Sequence, residues 1–60
     1  MVFSVGDLVK VQSRHDAVGI VIYVNDKTCR VVYFGKTIYG SQYAVTDNFD
    51  TIDLILVDNF

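Results

Sequence analysis

Residues 17 to 24 read Ala-Val-Gly-Ile-Val-Ile-Tyr-Val, a stretch without a single charge or a helical period. Side chains of this β-branched and aromatic kind suit a pleated, packed surface. Apolar residues stand at both odd and even positions. The segment therefore predicts a strand buried on both faces, or one that bends so that its two ends serve different sheets. Gly19, inside it, is expected to mark a bend or a close approach of backbone. The whole chain is only 60 residues, which leaves room for one domain, residues 1–60, around one core. A chain this short buries only about 60% of the surface its unfolded form exposes.

The rest of the chain repeats the β pattern. Glu and Pro are absent, so good helix formers are scarce and turns must come from Gly, Asn and Asp. Gly6 to Gln12 reads as a first strand, with Val9 and Val11 on one face and Lys10 and Gln12 on the other. Ser13-Arg14-His15-Asp16 is a polar loop. Asn25-Asp26-Lys27 signals a hairpin turn. Thr28 to Phe34 is a third strand. Its Cys29/Val31/Tyr33 face should point inward, because Arg30 on the other face is costly to bury. Gly35-Lys36 makes the next turn, and Thr37-Ile38-Tyr39 starts a fourth strand that Gly40 bends or ends and Gln42 to Val45 continues. Thr46-Asp47-Asn48 is a turn or one turn of 3₁₀ helix. Thr51 to Val57 is the last strand, with Asp53 facing outward, and Asp58-Asn59-Phe60 is a tail. Five short strands with a bent second strand predict an all-β fold, a five-stranded SH3-like small barrel with a single 3₁₀ turn before the last strand. Closure would remove the open edges that invite aggregation. An OB-fold is the nearest rival but needs a longer chain and a helix.

Several function classes are made difficult by composition. Cys29 is alone and there is one His, so neither a disulfide framework nor a four-ligand zinc site can form. Yet 52% of residues are hydrophobic, where a small domain should look more polar than average. Part of that apolar surface is expected to meet a partner. The net charge is −2, unevenly spread. Through Lys36, five bases face three aspartates, giving +2; beyond it stand four aspartates and no base, giving −4. This balance argues against a general polyanion binder and leaves a local basic patch open. Met1-Val2-Phe3-Ser4-Val5 lacks the charged start and apolar stretch of a signal peptide. No run is long enough for a membrane helix. With an initial Met and one free thiol, the chain reads as a complete small cytoplasmic gene product.

Ser13, His15 and Asp16 supply the letters of a hydrolase triad, but three side chains within four residues of one loop do not converge as a triad requires. Asp47, Asp50, Asp53 and Asp58 lack the alternating spacing and closing Glu of a calcium loop. No cofactor is called for, and the chain is expected not to be an enzyme. Among the bases, Lys27 and Lys36 flank the ends of the third strand, so they cannot share one phosphate. Arg30 with Phe34 and Tyr39 would suit base stacking. The remaining aromatics, Tyr23, Tyr33, Tyr43, Phe49 and Phe60 among them, exceed what so small a core needs. Tyr suits interfaces because one end is apolar and the other stays wet.

Two stretches carry a resemblance. Val5-Gly6-Asp7-Leu8-Val9-Lys10-Val11 resembles the opening strand of many SH3-like domains. Val18-Gly19-Ile20-Val21-Ile22-Tyr23-Val24, followed by Cys29 to Phe34, resembles the hairpin of KOW and Tudor domains. The likeness covers about positions 5–35. It implies a small barrel, and either RNA or protein contacts (KOW) or a cage of converging aromatics for methylated lysine or arginine (Tudor), although this chain is acidic and lacks a basic loop. Short stand-alone barrels encoded by phages look similar as well. The leading expectation is a non-enzymatic binding or assembly module acting through protein contacts, including self-association. A KOW-like nucleic-acid accessory domain is the alternative. Phe34, Tyr39, Arg30 and Tyr23 are the expected partner-binding residues.

Overall fold

The structure, a computed structural model, describes residues 3–58. Five strands, β1 (Leu8–Val11), β2 (Ala17–Val24), β3 (Thr28–Lys36), β4 (Gln42–Asp50) and β5 (Leu54–Asp58), are joined in part by two 3₁₀ turns, Gln12–Arg14 and Thr51–Asp53. All neighbours are antiparallel, in the order β4-β3-β2-β1-β5. The sheet curls over its own interior without closing, since no ladder among the described residues joins β4 to β5. No helix here is long and apolar enough to cross a membrane.

One cluster makes the core. Val9 and Val11 of β1, Val21 of β2, Cys29, Val31 and Tyr33 of β3, Phe49 of β4 and Leu54 of β5 are buried together with Phe3. The strand period of two explains the choice: alternate residues of β1 and β3 reach the interior, as expected. Tyr33 and Phe49 meet at a tilted 5.8 Å between ring centroids, a favourable aromatic arrangement. Among the described residues, Asp7 is the one buried charged residue. Its Oδ2 accepts the Ser4 N–H at 2.8 Å, and its carbonyl accepts the Val21 N–H at 3.0 Å, so it locks the lead-in against β2.

The second strand has the predicted bounds but is not buried twice. The register slips between Val21 and Tyr23, so that Val21 faces Val31 and Tyr23 faces Arg30, with Ile22 as the extra residue. The slip changes the phase: Gly19 and Val21 point inward, then Val24 packs against the core while Tyr23 is turned out. Val18, Ile20 and Ile22 are left about half exposed because the described residues form a single-layer sheet with no element on its outer side. Gly19 does mark a close approach. A Cβ there would stand 2.6 Å from both Val31 Cγ1 and the Val32 carbonyl oxygen.

The second half departs from expectation. Gly35 and Lys36 continue β3, and the turn lies at 37–41. Thr37 is the cause: its Oγ1 accepts the N–H groups of Tyr39 and Ser41, both at 3.2 Å, and its carbonyl accepts that of Gly40 at 3.0 Å. A hydroxyl that captures local amides competes with a ladder, and Gly40 at φ +84° completes the turn. Thr46-Asp47-Asn48 lies inside β4, paired to Val32, Val31 and Arg30. The 3₁₀ turn falls at Thr51–Asp53 instead, which shortens the last strand and removes Asp53 from its outward face. Asp58 ends β5, while Asn59 and Phe60 lie outside the described residues. The hairpin of β3 and β4 runs past the core, giving extents of 37 × 21 × 16 Å.

Candidate functional site: an apolar outer sheet face

Inward placement of Val9, Val31 and their neighbours forces the alternate residues outward, and many of these are apolar. The register builds them into rows. Ile20 lies between Leu8 of β1 and Val32 of β3, and Val32 in turn faces Thr46. Lys10 lies between Val18 and Ile55, and Phe34 faces Ala44. Val18, Ile20 and Ile22 of β2, Val32 and Phe34 of β3 and Ile55 of β5 thus share one largely apolar face, with Lys10 of β1 set between Val18 and Ile55. Ile20 is 47% exposed and Phe34 63%.

The expected binding residues are only partly brought together. Arg30 and Phe34 share the outer face of β3. Arg30 reaches Tyr23, its guanidinium 5.9 Å from the ring centroid, and its Nε donates to Asn48 Oδ1 at 3.3 Å. That pair closes one end of the face. Tyr39 does not join: it sits on the 37–41 turn, 88% exposed, beside Ile38 at 92%. The aliphatic residues of the face were missed as a surface. Their signal was the run at 17–24, whose second apolar side was assigned to burial.

Bases gather elsewhere. Arg14, His15 and Lys36 line a groove of about 420 Å³ with Phe34, Tyr43 and Tyr33. Arg14 is held firmly. Its Nε donates to Tyr33 Oη at 3.1 Å, its guanidinium lies 5.5 Å from the Phe49 ring centroid, and its NH2 stands 3.5 Å from Asp47 Oδ2. The tyrosine hydrogen bond, with Asp47 adding to it, raises the guanidinium pKa above its ordinary value. Lys10 and Lys27 lie away from this groove, on the outer face and at the β2–β3 turn.

The loop expected to be merely solvated is a bridge. Asp53 Oδ1 accepts the Ser13 N–H at 3.0 Å and Asp53 Oδ2 the Ser13 hydroxyl, while Gln12 Nε2 donates to the Ile52 carbonyl at 3.5 Å. Ser13, His15 and Asp16 do not converge: the hydroxyl of Ser13 is turned to Asp53, and His15 and Asp16 occupy successive left-handed positions at φ 58°. Among the described residues, no three His, Cys, Asp or Glu side chains are grouped to hold a metal ion. A second groove, of about 410 Å³, lies between β4 and the second 3₁₀ turn, lined by Gln12, Asn48, Phe49, Asp50, Ile52 and Asp53. Comparison with family models, with curated proteins and with solved structures returned no match.

Proposed function

We propose that this chain is a non-enzymatic binding and assembly module that acts through protein contacts and pairs with a second copy of itself across the outer sheet face. The observation that carries this reading is the apolar surface of Val18, Ile20, Ile22, Val32, Phe34 and Ile55. At on the order of 80 Å² each, the half-exposed Val18, Ile20, Ile22, Phe34 and Ile55 present about 400 Å², with the partly buried Val32 between them, within the range of the largest patch on a typical monomer. With Tyr23 and Arg30 at one end and the stem of Lys10 between Val18 and Ile55, the face approaches the ~800 Å² that one partner gives to a standard interface. A two-fold interface must also complement itself: Ile20, Val32 and Phe34 carry no charge, and the long stem of Lys10 can lie between Val18 and Ile55 with its ammonium turned to solvent. Sheets stack well at about 10 Å through side chains of this kind.

The SH3-like barrel is part of the same proposal. It is supported by the strand order with β1 between β2 and β5, the slip within β2 and the 3₁₀ turn before β5. Sedimentation across a concentration series tests the pairing. Wild-type protein should shift from monomer to dimer, and Ile20→Lys should stay monomeric with unchanged circular dichroism. A wild-type chain that sediments as monomer at high micromolar concentration rejects the idea.

A second reading, a KOW-like nucleic-acid accessory role, is favoured by the groove in which Arg14 and Lys36 meet Phe34 and Tyr43. It expects single-stranded oligonucleotides to bind with a steep salt dependence and Lys36→Ala to flatten the slope. Anisotropy titrations at low and high salt decide it: no binding at low salt removes this reading.

A further inference from the structure

β4 is the edge of the sheet for nine residues, and among the described residues only β3 pairs with it. In an antiparallel ladder alternate residues direct both backbone groups to the same side. The Asn48 N–H is bonded to Asp47 Oδ1 at 2.8 Å and so points away from β3. Ala44 and Thr46 follow the same phase, so their N–H and C=O groups face outward and pair with no other strand among the described residues. Proline, lysine and register slips, the usual guards of an exposed edge, are all missing from this strand. Its charges are carboxylates only, Asp47 and Asp50.

Those carboxylates select what can dock. β5, the other edge, also carries Asp58, so edges of identical copies confront acid with acid. A basic strand meets the opposite situation. The groove between β4 and the second 3₁₀ turn opens beside Asn48–Asp50 and is walled by Phe49 and by Ile52, which is 87% exposed. Asp53 is engaged by Ser13, whereas the carboxylate of Asp50 has no hydrogen-bond or ion partner among the described residues. The walls suit the aliphatic stem of an arginine or lysine, and the two carboxylates suit its head.

We infer that the free edge of β4 captures an extended basic segment of another protein by strand addition, seating one arginine or lysine between Asp50 and Asp53. Main-chain hydrogen bonds to Ala44 and Thr46 supply affinity and the groove supplies selectivity. This goes beyond pairing through the outer face and does not require it.

The test uses the full chain carrying Ile20→Lys, which removes face pairing while leaving β4 intact. The probe is a short fluorescent peptide of alternating valine and threonine with two arginines. Saturable binding is expected, with amide shifts centred on Ala44, Thr46 and Asn48. Methylating alternate peptide nitrogens should abolish it. Asp50→Lys should weaken it by about tenfold or more and Asp50→Asn by less, each with an unchanged amide spectrum elsewhere. Equal affinity for the N-methylated peptide, insensitivity to both Asp50 variants, shifts confined to the outer face, or no binding at all would each overturn the inference. Dimerisation of the wild type is read separately by sedimentation, so either idea can fail alone.

Discussion

Gly19 shows how little room one position can have. A methyl group there would press on the Val32 carbonyl and on Val31 within the core. Gly19→Ala is expected to cost about 3 kcal/mol or more, read as a lower urea midpoint. The neighbouring turn behaves oppositely. His15 and Asp16 are both held at positive φ, a region that costs a residue with a Cβ about 1–2 kcal/mol. Asp16→Gly should raise the melting temperature and Asp16→Val should lower it, measured by thermal circular dichroism. At Phe34 stability and association separate. Its exposed ring predicts that Phe34→Ala changes unfolding by less than about 0.5 kcal/mol while weakening the dimer in sedimentation. The inward face of β3 was legible because Arg30 alternates with Cys29, Val31 and Tyr33. The role of Arg14 was not, since Tyr33, Phe49 and Asp47 reach it only through the fold.

At the level of elements, the ladder stops at β4 and β5, and side chains from the first 3₁₀ turn span part of the gap. Ser13 ties that turn to Asp53, and Arg14 ties it to Asp47 on β4 and Tyr33 on β3. Asp53→Ala removes the acceptor of both Ser13 bonds. It should destabilise by about 1–2 kcal/mol and speed hydrogen exchange at Ser13 more than in the center of β2. The same elements explain where reading the chain fails. Thr37-Ile38-Tyr39 alternates like a strand, yet one threonine hydroxyl turns it. Thr46-Asp47-Asn48 has turn-forming residues, yet long-range pairing with β3 overrides them. The 17–24 strand was legible in its bounds because composition alone defines it. Its outer face was not, because an apolar side chain looks the same whether its partner lies within the chain or beyond it.

On the scale of the whole molecule, the thiol of Cys29 reports integrity. It is fully buried, and that burial, with Asp7 adding to it, pushes its pKa above the ordinary thiol value. The folded thiol therefore binds its proton more tightly than the unfolded one. The stability this brings is complete below the unfolded thiol pKa and is lost as pH rises through the folded one. Iodoacetamide labelling at neutral pH should be slow and should accelerate with urea in step with unfolding. Rapid labelling without denaturant would mean that the interior opens freely.

Because β5 lies along β1, Lys10 pairs with Ile55 across nearly the whole length of the chain. Val9 and Val11 therefore wait for Leu56 and Leu54, which emerge from the ribosome long after them. Until then β2, β3 and β4 can assemble as a local meander, but the opening strand keeps one flank bare. Synthesis must run past β5 before this fold is complete, and a message truncated just upstream of Leu54 would yield a nascent product without the strand that seals β1.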